Sequence, residues 1–382
     1  VNIVNTSDFA SLKLFITGPT LVREETRQAA SLPEFGHRDK ENDKRCAPIM
    51  EHLRALAGVD DEYEVCLING SGSTALEASV RSLVRDDETV LNISVGAFGD
   101  LYHNIAVNNG KRAVQLRFDN GRAMDAERVR AALEEHVPAV VTMTHNETST
   151  GVTNDIESIC SLVREYGALP LVDGVSIFGG TDIGLLSARP AMYVTATQKC
   201  LALPAGFGIA FVAPEAVTKA ETVPVRGHSS DILRQLVSAR KNQMLTTPNT
   251  TLLNQMAVQL DYIVNTEGIE ARFARHAAMR DQAHAWVEKQ DGFDLFAQQG
   301  YRSPVLTTVR APESVGFDAL KNDLKERMRA RGYLFDPGYG KLNTQMREAG
   351  ERPIFRIGHM GDITPDLLAE YLDELGEELA RL

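Results

Sequence analysis

The stretch "VCLINGSGSTALEASVRSLV", Val65–Val84, decides the fold. Its opening residues form a short apolar run of the length and β-branched content expected for a buried strand. "NGSG", Asn69–Gly72, is turn chemistry. A helical pattern then begins at Ser73. A strand that turns directly into a helix is the building unit of an α/β sheet.

The same alternation continues on the C-terminal side. Further strand-like runs are "TVLNISV" at Thr89, "VQLRF" at Val114, "AVVTMTH" at Ala139, "ALPLVD" at Ala168, "MYVTAT" at Met192 and "FGIAFVA" at Phe207. Helical patterns lie between them, in "AMDAERVRAALEEH" from Ala123 and "NDIESICSLVREYG" from Asn154. The second opens on Asn-Asp capping chemistry and closes on Gly167. Strand–helix alternation implies a mostly parallel sheet covered on both faces. After about Thr250 the pattern changes. Long helical stretches follow, "TLLNQMAVQLDYIV" and "IEARFARHAAMRDQAHAWVEKQ", then strand-like "PVLTTVRAP", helical "FDALKNDLKERMRARG", strand-like "FRIGHMG" and a final amphipathic helix. The expected division is a large domain over residues 16–255 and a smaller α+β domain over 256–382. Residues 1–15 are expected to join the smaller domain or a dimer interface.

Composition bounds the function. The chain has 382 residues, 43% hydrophobic and 24% charged, as in ordinary globular proteins. Its net charge of -12 argues against a nucleic-acid or anionic-membrane surface. The four cysteines, Cys46, Cys66, Cys160 and Cys200, are scattered without a CxxC pair, which fits a reducing cytoplasm. The first residues lack a basic segment followed by an apolar core, so no signal peptide is expected. No apolar run approaches membrane-spanning length. None of the nine histidines forms an HxH or HExxH cluster, so no metal is expected.

Three features carry chemistry, and each has an ordinary alternative. The Gly-Ser-Gly turn at Gly70–Gly72 presents backbone N–H groups at a helix start, with hydroxyls from Ser71, Ser73 and Thr74 nearby. That is an anion cradle, or only a tight connection. Asp173 ends a strand in "PLVDGVSIFGG", where ligands collect in such sheets; it also suits a turn or helix cap. Lys199 sits in "VTATQKCLALPAGFG", among interior residues. A buried lysine has a lowered pKa and a nucleophilic amine, unless it snorkels or pairs with an acid. Together the three supply a phosphate cup, a carboxylate for a pyridinium nitrogen and an amine for an aldehyde. Pyridoxal phosphate needs this set.

The chain resembles a fold-type I, class V aminotransferase, near the alanine–glyoxylate and serine–pyruvate group. The resemblance rests on "FITGPTLV" at Phe15, "FGHR" at Phe35, "NGSGSTALEA", "SVGAFGD" at Ser94, "THNETSTGV" at Thr144, "LVDGVSIFGG", "TATQKCLALPAGFG", "TTPNT" at Thr246 and "FRIGHMGD" at Phe355. It implies an α/β fold with a seven-stranded, mostly parallel sheet, and pyridoxal 5'-phosphate as cofactor. Lys199 then resembles the lysine that joins the cofactor aldehyde, and Asp173 the partner of its pyridinium nitrogen. Phe98 matches the aromatic residue that stacks on the ring, and Thr148 the hydroxyl near the ring oxygen. Ser71, Gly72, Ser73 and Gln198 match phosphate-side positions. Gln243 and Thr246 match positions that reach the partner subunit's cofactor, which implies a homodimer. Arg356 resembles the clamp for the substrate carboxylate, with Gly18, His37 and Arg38 on the substrate side.

The implied reaction moves an amino group from alanine or serine to glyoxylate or pyruvate. Alternatives stay open. A phosphoserine or 2-aminoethylphosphonate transaminase would need extra cations, which His37, Arg38 or Arg352 could supply. A cysteine desulfurase would need a cysteine after Cys200, and there is none. A silent homologue and a nucleotide-binding oxidoreductase are the remaining readings; the latter lacks a GxGxxG in its first strand–helix unit. Arg38 also suits an interface contact, and Arg356 an ordinary salt bridge. His145, His359 and Cys200 read as packed residues.

Overall fold

The structure is a computed structural model and describes residues 11–382. The part of the 1–15 assignment that covers residues 1–10 lies outside it. The sheet strands are β1 Glu64–Asn69, β2 Thr89–Ser94, β3 Arg112–Arg117, β4 Val140–Thr144, β5 Leu169–Asp173, β6 Met192–Ala196 and β7 Phe207–Val212. They form one seven-stranded sheet in the order β1-β7-β6-β5-β4-β2-β3. Only β7 runs against its neighbours. The sheet is therefore mostly parallel, as the alternation of strands and helices implies.

Period-2 side-chain alternation explains why both faces are covered. In β1, Val65 and Leu67 enter one apolar cluster, while Cys66 and Ile68 enter the other. The central strands β4, β6 and β7 are buried along their whole length. The edge strand β3 begins and ends on exposed arginines, Arg112 and Arg117, which discourage edge pairing.

Parallel strands place their C-terminal ends together. Thr144 of β4 stands opposite Asp173 of β5, and Asp173 opposite Val194 of β6. The helices Gly72–Leu83 and Ala97–Asn108 start at the same edge, after β1 and β2. The second of these was legible only as the motif "SVGAFGD". Gly99 in its first turn masks the helical pattern. A Cβ there would lie 2.8 Å from the Ser94 backbone, so close packing excludes a better helix former.

Helix Thr250–Asp261 packs Leu252, Leu253, Met256 and Leu260 into the same apolar cluster as Val65 and Leu67 of the large sheet. Helices Thr250–Asp261 and Ile269–Val287 precede a three-stranded antiparallel sheet of Asp294–Leu295, Leu306–Arg310 and Ile354–Gly358. The final helix, Pro365–Leu379, is capped by Thr364, whose hydroxyl accepts the Leu367 N–H at 3.2 Å. Lys13–Leu14 pairs in parallel with Tyr333–Leu334. Phe15 stacks on Tyr371 of the final helix, with ring centroids 3.8 Å apart. Among the described residues, no helix is long and apolar enough to cross a membrane.

Candidate active site

Lys199 follows β6 in a tight turn. Ala202 N–H donates to the Lys199 carbonyl at 2.9 Å, and Ala202 adopts φ +55° to close that turn. The Thr20 hydroxyl donates to the same carbonyl at 3.0 Å. Next in the chain, the Cys200 carbonyl accepts from Arg272, a fully buried guanidinium. Arg272 is itself neutralised by Asp362 at 3.0 Å and by Glu267 at 2.6 Å. The backbone that carries the amine is thus held from several sides.

The Lys199 amine donates to the Thr17 carbonyl. Its side chain lies along Gly18, where a Cβ would meet Lys199 Cδ and Nζ at 2.7 Å. Gly18 also has φ +113°, open to glycine and strained for other residues. Burial lowers the Lys199 ammonium to about 8, and the positive charge of Arg356 pushes the same way. A neutral amine near physiological pH is what attack on an aldehyde requires.

Asp173 is buried at the end of β5. Its Oδ1 accepts the Val175 N–H at 2.9 Å. Among the described residues no cationic side chain forms an ion pair with it. Burial therefore pushes its carboxyl up to about 7. Val175 also packs on the helix start: a Cβ on Gly72 would lie 2.7 Å from its methyl. Nearby, Gln198 Oε1 is buried with no hydrogen-bond partner.

The turn before Gly72–Leu83 differs in detail from expectation. Ser71 N–H donates to Thr74 Oγ1 at 3.2 Å, so the Thr74 hydroxyl serves the helix cap. Ser73 is exposed and Ser71 half-buried, leaving the helix start open.

Phe98 and Thr148 are brought together by a residue that the sequence reading passed over. Glu147 is fully buried and accepts N–H bonds from Phe98 at 3.0 Å, Gly99 at 3.0 Å and Ser149 at 3.0 Å. The Ser149 hydroxyl adds another at 2.6 Å. A carboxylate at the start of helix Ala97–Asn108 satisfies orphan donors and complements the helix dipole. Burial raises its carboxyl despite these bonds. The available signal was an acid inside the polar run Thr144–Thr150, all of it buried.

Arg356 is buried, and it makes the salt bridge that was its ordinary alternative. The partner is Asp336, at 3.1 Å. Arg356 also donates to the Thr148 carbonyl at 2.9 Å. Asp336 is the second residue missed by sequence; "DPGYG" reads locally as a turn. Tyr339 from the same segment faces Phe98, with centroids 6.1 Å apart. A cavity of about 130 Å³ lies there, lined by Ala97, Asp100, Arg117, Ser149, Tyr339 and Lys341. Its Asp100 and Arg117 pair with each other at 3.3 Å.

Thr246 stands beside the Ser71–Ser73 turn, and the other expected residues stand apart from this cluster. Thr246 Oγ1 accepts from Asn69, beside the Gly70 turn, at 2.8 Å. Gln243 is half-buried, and its N–H donates to the Ser238 carbonyl at 3.0 Å. His37 is half-buried and Arg38 exposed. Arg352 donates to Asp294, away from Lys199. His145 bonds the Tyr193 hydroxyl at 3.0 Å and His359 that of Thr307 at 2.9 Å, as packed residues do. Cys200 is buried, and burial raises its thiol to about 12.

This donor set fits pyridoxal phosphate. It contains an amine with a lowered pKa, a buried carboxylate with no ion pair among the described residues and an open helix start. Asp173 would hold the ring nitrogen, Lys199 the aldehyde carbon, and the Ser71–Ser73 turn the phosphate.

Comparison with known proteins agrees with that fit. The family model described as Aminotransferase class-V matches residues 22–327. An uncharacterised aminotransferase of Methanocaldococcus jannaschii is 33% identical over 91% of this chain and 87% of its own length. A 2-aminoethylphosphonate–pyruvate transaminase of Syntrophobacter fumaroxidans is 27% identical, over 92% of each chain. Among solved structures, an alanine–glyoxylate aminotransferase from Nostoc sp. superposes with a TM-score of 0.88 at 24% identity, covering 99% of this chain and 97% of the other.

Proposed function

The chain belongs to the class-V, pyridoxal-phosphate-dependent aminotransferases, and we propose that it moves an amino group from alanine or serine to glyoxylate or pyruvate by a ping-pong cycle. The observation that carries this reading is the pairing of Lys199 with Arg356. Thr17 and Asp336 link the two side chains, Lys199 just after β6 of the large sheet and Arg356 in the small-sheet strand Ile354–Gly358.

Bound pyridoxal phosphate supplies the electron sink and the amino carrier. The chain's residues do the rest. Asp173 would balance the positive charge of the ring nitrogen. Arg356 takes the substrate carboxylate and so orients the Cα–H bond. Lys199 Nζ carries the proton away from Cα, as a base whose pKa of about 8 suits neutral solution. Phe98 would cover the ring, and Thr148 would stand beside its oxygen.

The same reading includes a cytoplasmic homodimer in which Gln243 and Thr246 reach the partner's cofactor phosphate. It also divides the chain into 16–255 and 256–382. His37, Arg38 and Gly18 remain on its substrate side.

A second reading, 2-aminoethylphosphonate or phosphoserine as donor, draws on the Syntrophobacter relative. Arg352, one of the cations it would use, is engaged by Asp294. A half-reaction screen separates the two. Holoenzyme is mixed with single amines and the loss of the cofactor's yellow band is followed. Alanine or serine is expected to react fastest. A phosphonate or phosphoserine rate about 10-fold higher, some 1.4 kcal/mol in the barrier, would replace the first reading by the second.

A further inference from the structure

Arg356 does not stand free in the site. Its Nε donates to Asp336 Oδ1 at 3.2 Å and its Nη2 to the same oxygen at 3.1 Å. Nη1 donates to the Thr148 carbonyl at 2.9 Å. A guanidinium has five N–H donors. With these bonds made, one N–H remains on each terminal nitrogen. A carboxylate accepts such a pair in parallel.

The other side of Asp336 is equally committed. Its Oδ2 accepts from the Thr17 N–H and the Thr17 hydroxyl, both at 3.2 Å. Oδ1 takes a further bond from Gly338 N–H at 3.0 Å. The Thr17 carbonyl in turn receives the Lys199 amine, and Gly18 lies against the lysine stem. One buried carboxylate therefore holds the arginine and the strap that covers the lysine, across 319 residues of sequence.

We propose that Asp336 is a positioning residue for the transamination. It turns the Arg356 guanidinium so that its remaining N–H pair serves one substrate carboxylate, and it pins the Thr17–Gly18 strap on Lys199. The physical basis is preorganisation. A side chain already fixed by three hydrogen bonds loses little rotamer freedom when it binds. The inference rests on Arg356 being the carboxylate clamp.

The test uses holoenzyme and propionate, which has alanine's carboxylate and methyl group but no amine. Binding is read from the shift of the cofactor absorbance. The half reactions of L-alanine and ethylamine are followed in parallel. Asp336→Asn keeps the shape and removes the charge. It is expected to weaken propionate and to raise the KM for alanine by about 10-fold each, while ethylamine changes by less than about 2-fold. Thr17→Val, which removes only the hydroxyl bond, is expected to weaken propionate by roughly 2- to 5-fold.

Equal slowing of alanine and ethylamine, or unchanged propionate binding, overturns the proposal. If Asp336→Asn does not fold, unchanged propionate binding in Thr17→Val overturns it alone. Arg356→Ala separates this failure from that of the underlying reading. If alanine keeps its advantage over ethylamine in that variant, the clamp is wrong and the positioning role falls with it. If the advantage collapses there but survives in Asp336→Asn, the clamp stands and only Asp336 loses its role.

Discussion

Two buried aspartates stand at the edges of the two sheets, and they are opposites. Asp173, at the end of β5, accepts one N–H from its own loop and has no ion pair among the described residues. Asp336, beside the strand Ile354–Gly358, is surrounded by Arg356, Thr17 and Gly338. Burying an unpaired carboxylate is costly, and a folded chain tolerates it where something else supplies the counter-charge. On the proposed reading the open acid belongs to the ligand, and the saturated acid to the scaffold that aims its neighbours. Lys199 and Gln198 fall with Asp173 on the open side; Arg272, Glu267 and Asp362 behave like Asp336.

The largest effect lies on the open side. Lys199→Ala is expected to lower transamination by about 10⁴-fold or more, because attack on the aldehyde and proton transfer at Cα are both lost. Steady-state assays with added methylamine sharpen the result, since a small amine restores part of a missing ammonium. A variant that kept more than a few per cent of its rate without methylamine would move Lys199 to the scaffold side.

Asp173→Asn tests the contrast in two directions at once. With cofactor bound, loss of the carboxylate is expected to lower kcat about 100-fold, equivalent to two pKa units of lost charge stabilisation. Without cofactor the sign reverses. Burial raises the Asp173 carboxyl from 3.8 to about 7, so the folded chain holds that proton more tightly than the unfolded chain. Stability from this group is present below the ordinary carboxylate range and is lost as pH rises through about 7. The amide has no such loss. Cofactor-free Asp173→Asn should therefore melt above the parent at pH 8, with the gap closing toward pH 4. A parent that melts higher at pH 8 would mean that Asp173 already has its counter-charge.

The same contrast explains what sequence reveals. Asp173, Lys199 and Gly72 could be proposed from sequence because each sits at a strand end or helix start within its own short motif. All the strands of the large sheet were legible too, since apolar runs bounded by turns need no distant partner. Asp336 was not. Its meaning depends on Thr17 and Arg356, which only the folded chain brings near. Glu147 was hidden differently: its partners Phe98 and Gly99 lie in a helix whose pattern Gly99 obscures. The residues proposed to face a ligand carry local signatures, whereas residues that hold other residues are written in contacts.

Arg352 gives the smallest expected effect and a control for the comparison. Like Arg356 it is held by an aspartate and a backbone carbonyl, here Asp294 and the Gly292 carbonyl at 3.1 Å. Yet Asp294 begins the first strand of the small sheet and Gly292 lies in the turn before it, apart from Lys199, Thr17 and Thr148. Half-exposed ion pairs of this kind contribute about 0–1 kcal/mol. Arg352→Ala should therefore leave the alanine half reaction within about 2-fold and the melting temperature within a few degrees. The same variant should leave the phosphoserine rate unchanged, because a cation committed to Asp294 is not offered to a substrate phosphate. A selective loss of phosphoserine turnover would show that the pair opens on demand, and saturation would then no longer separate scaffold from site.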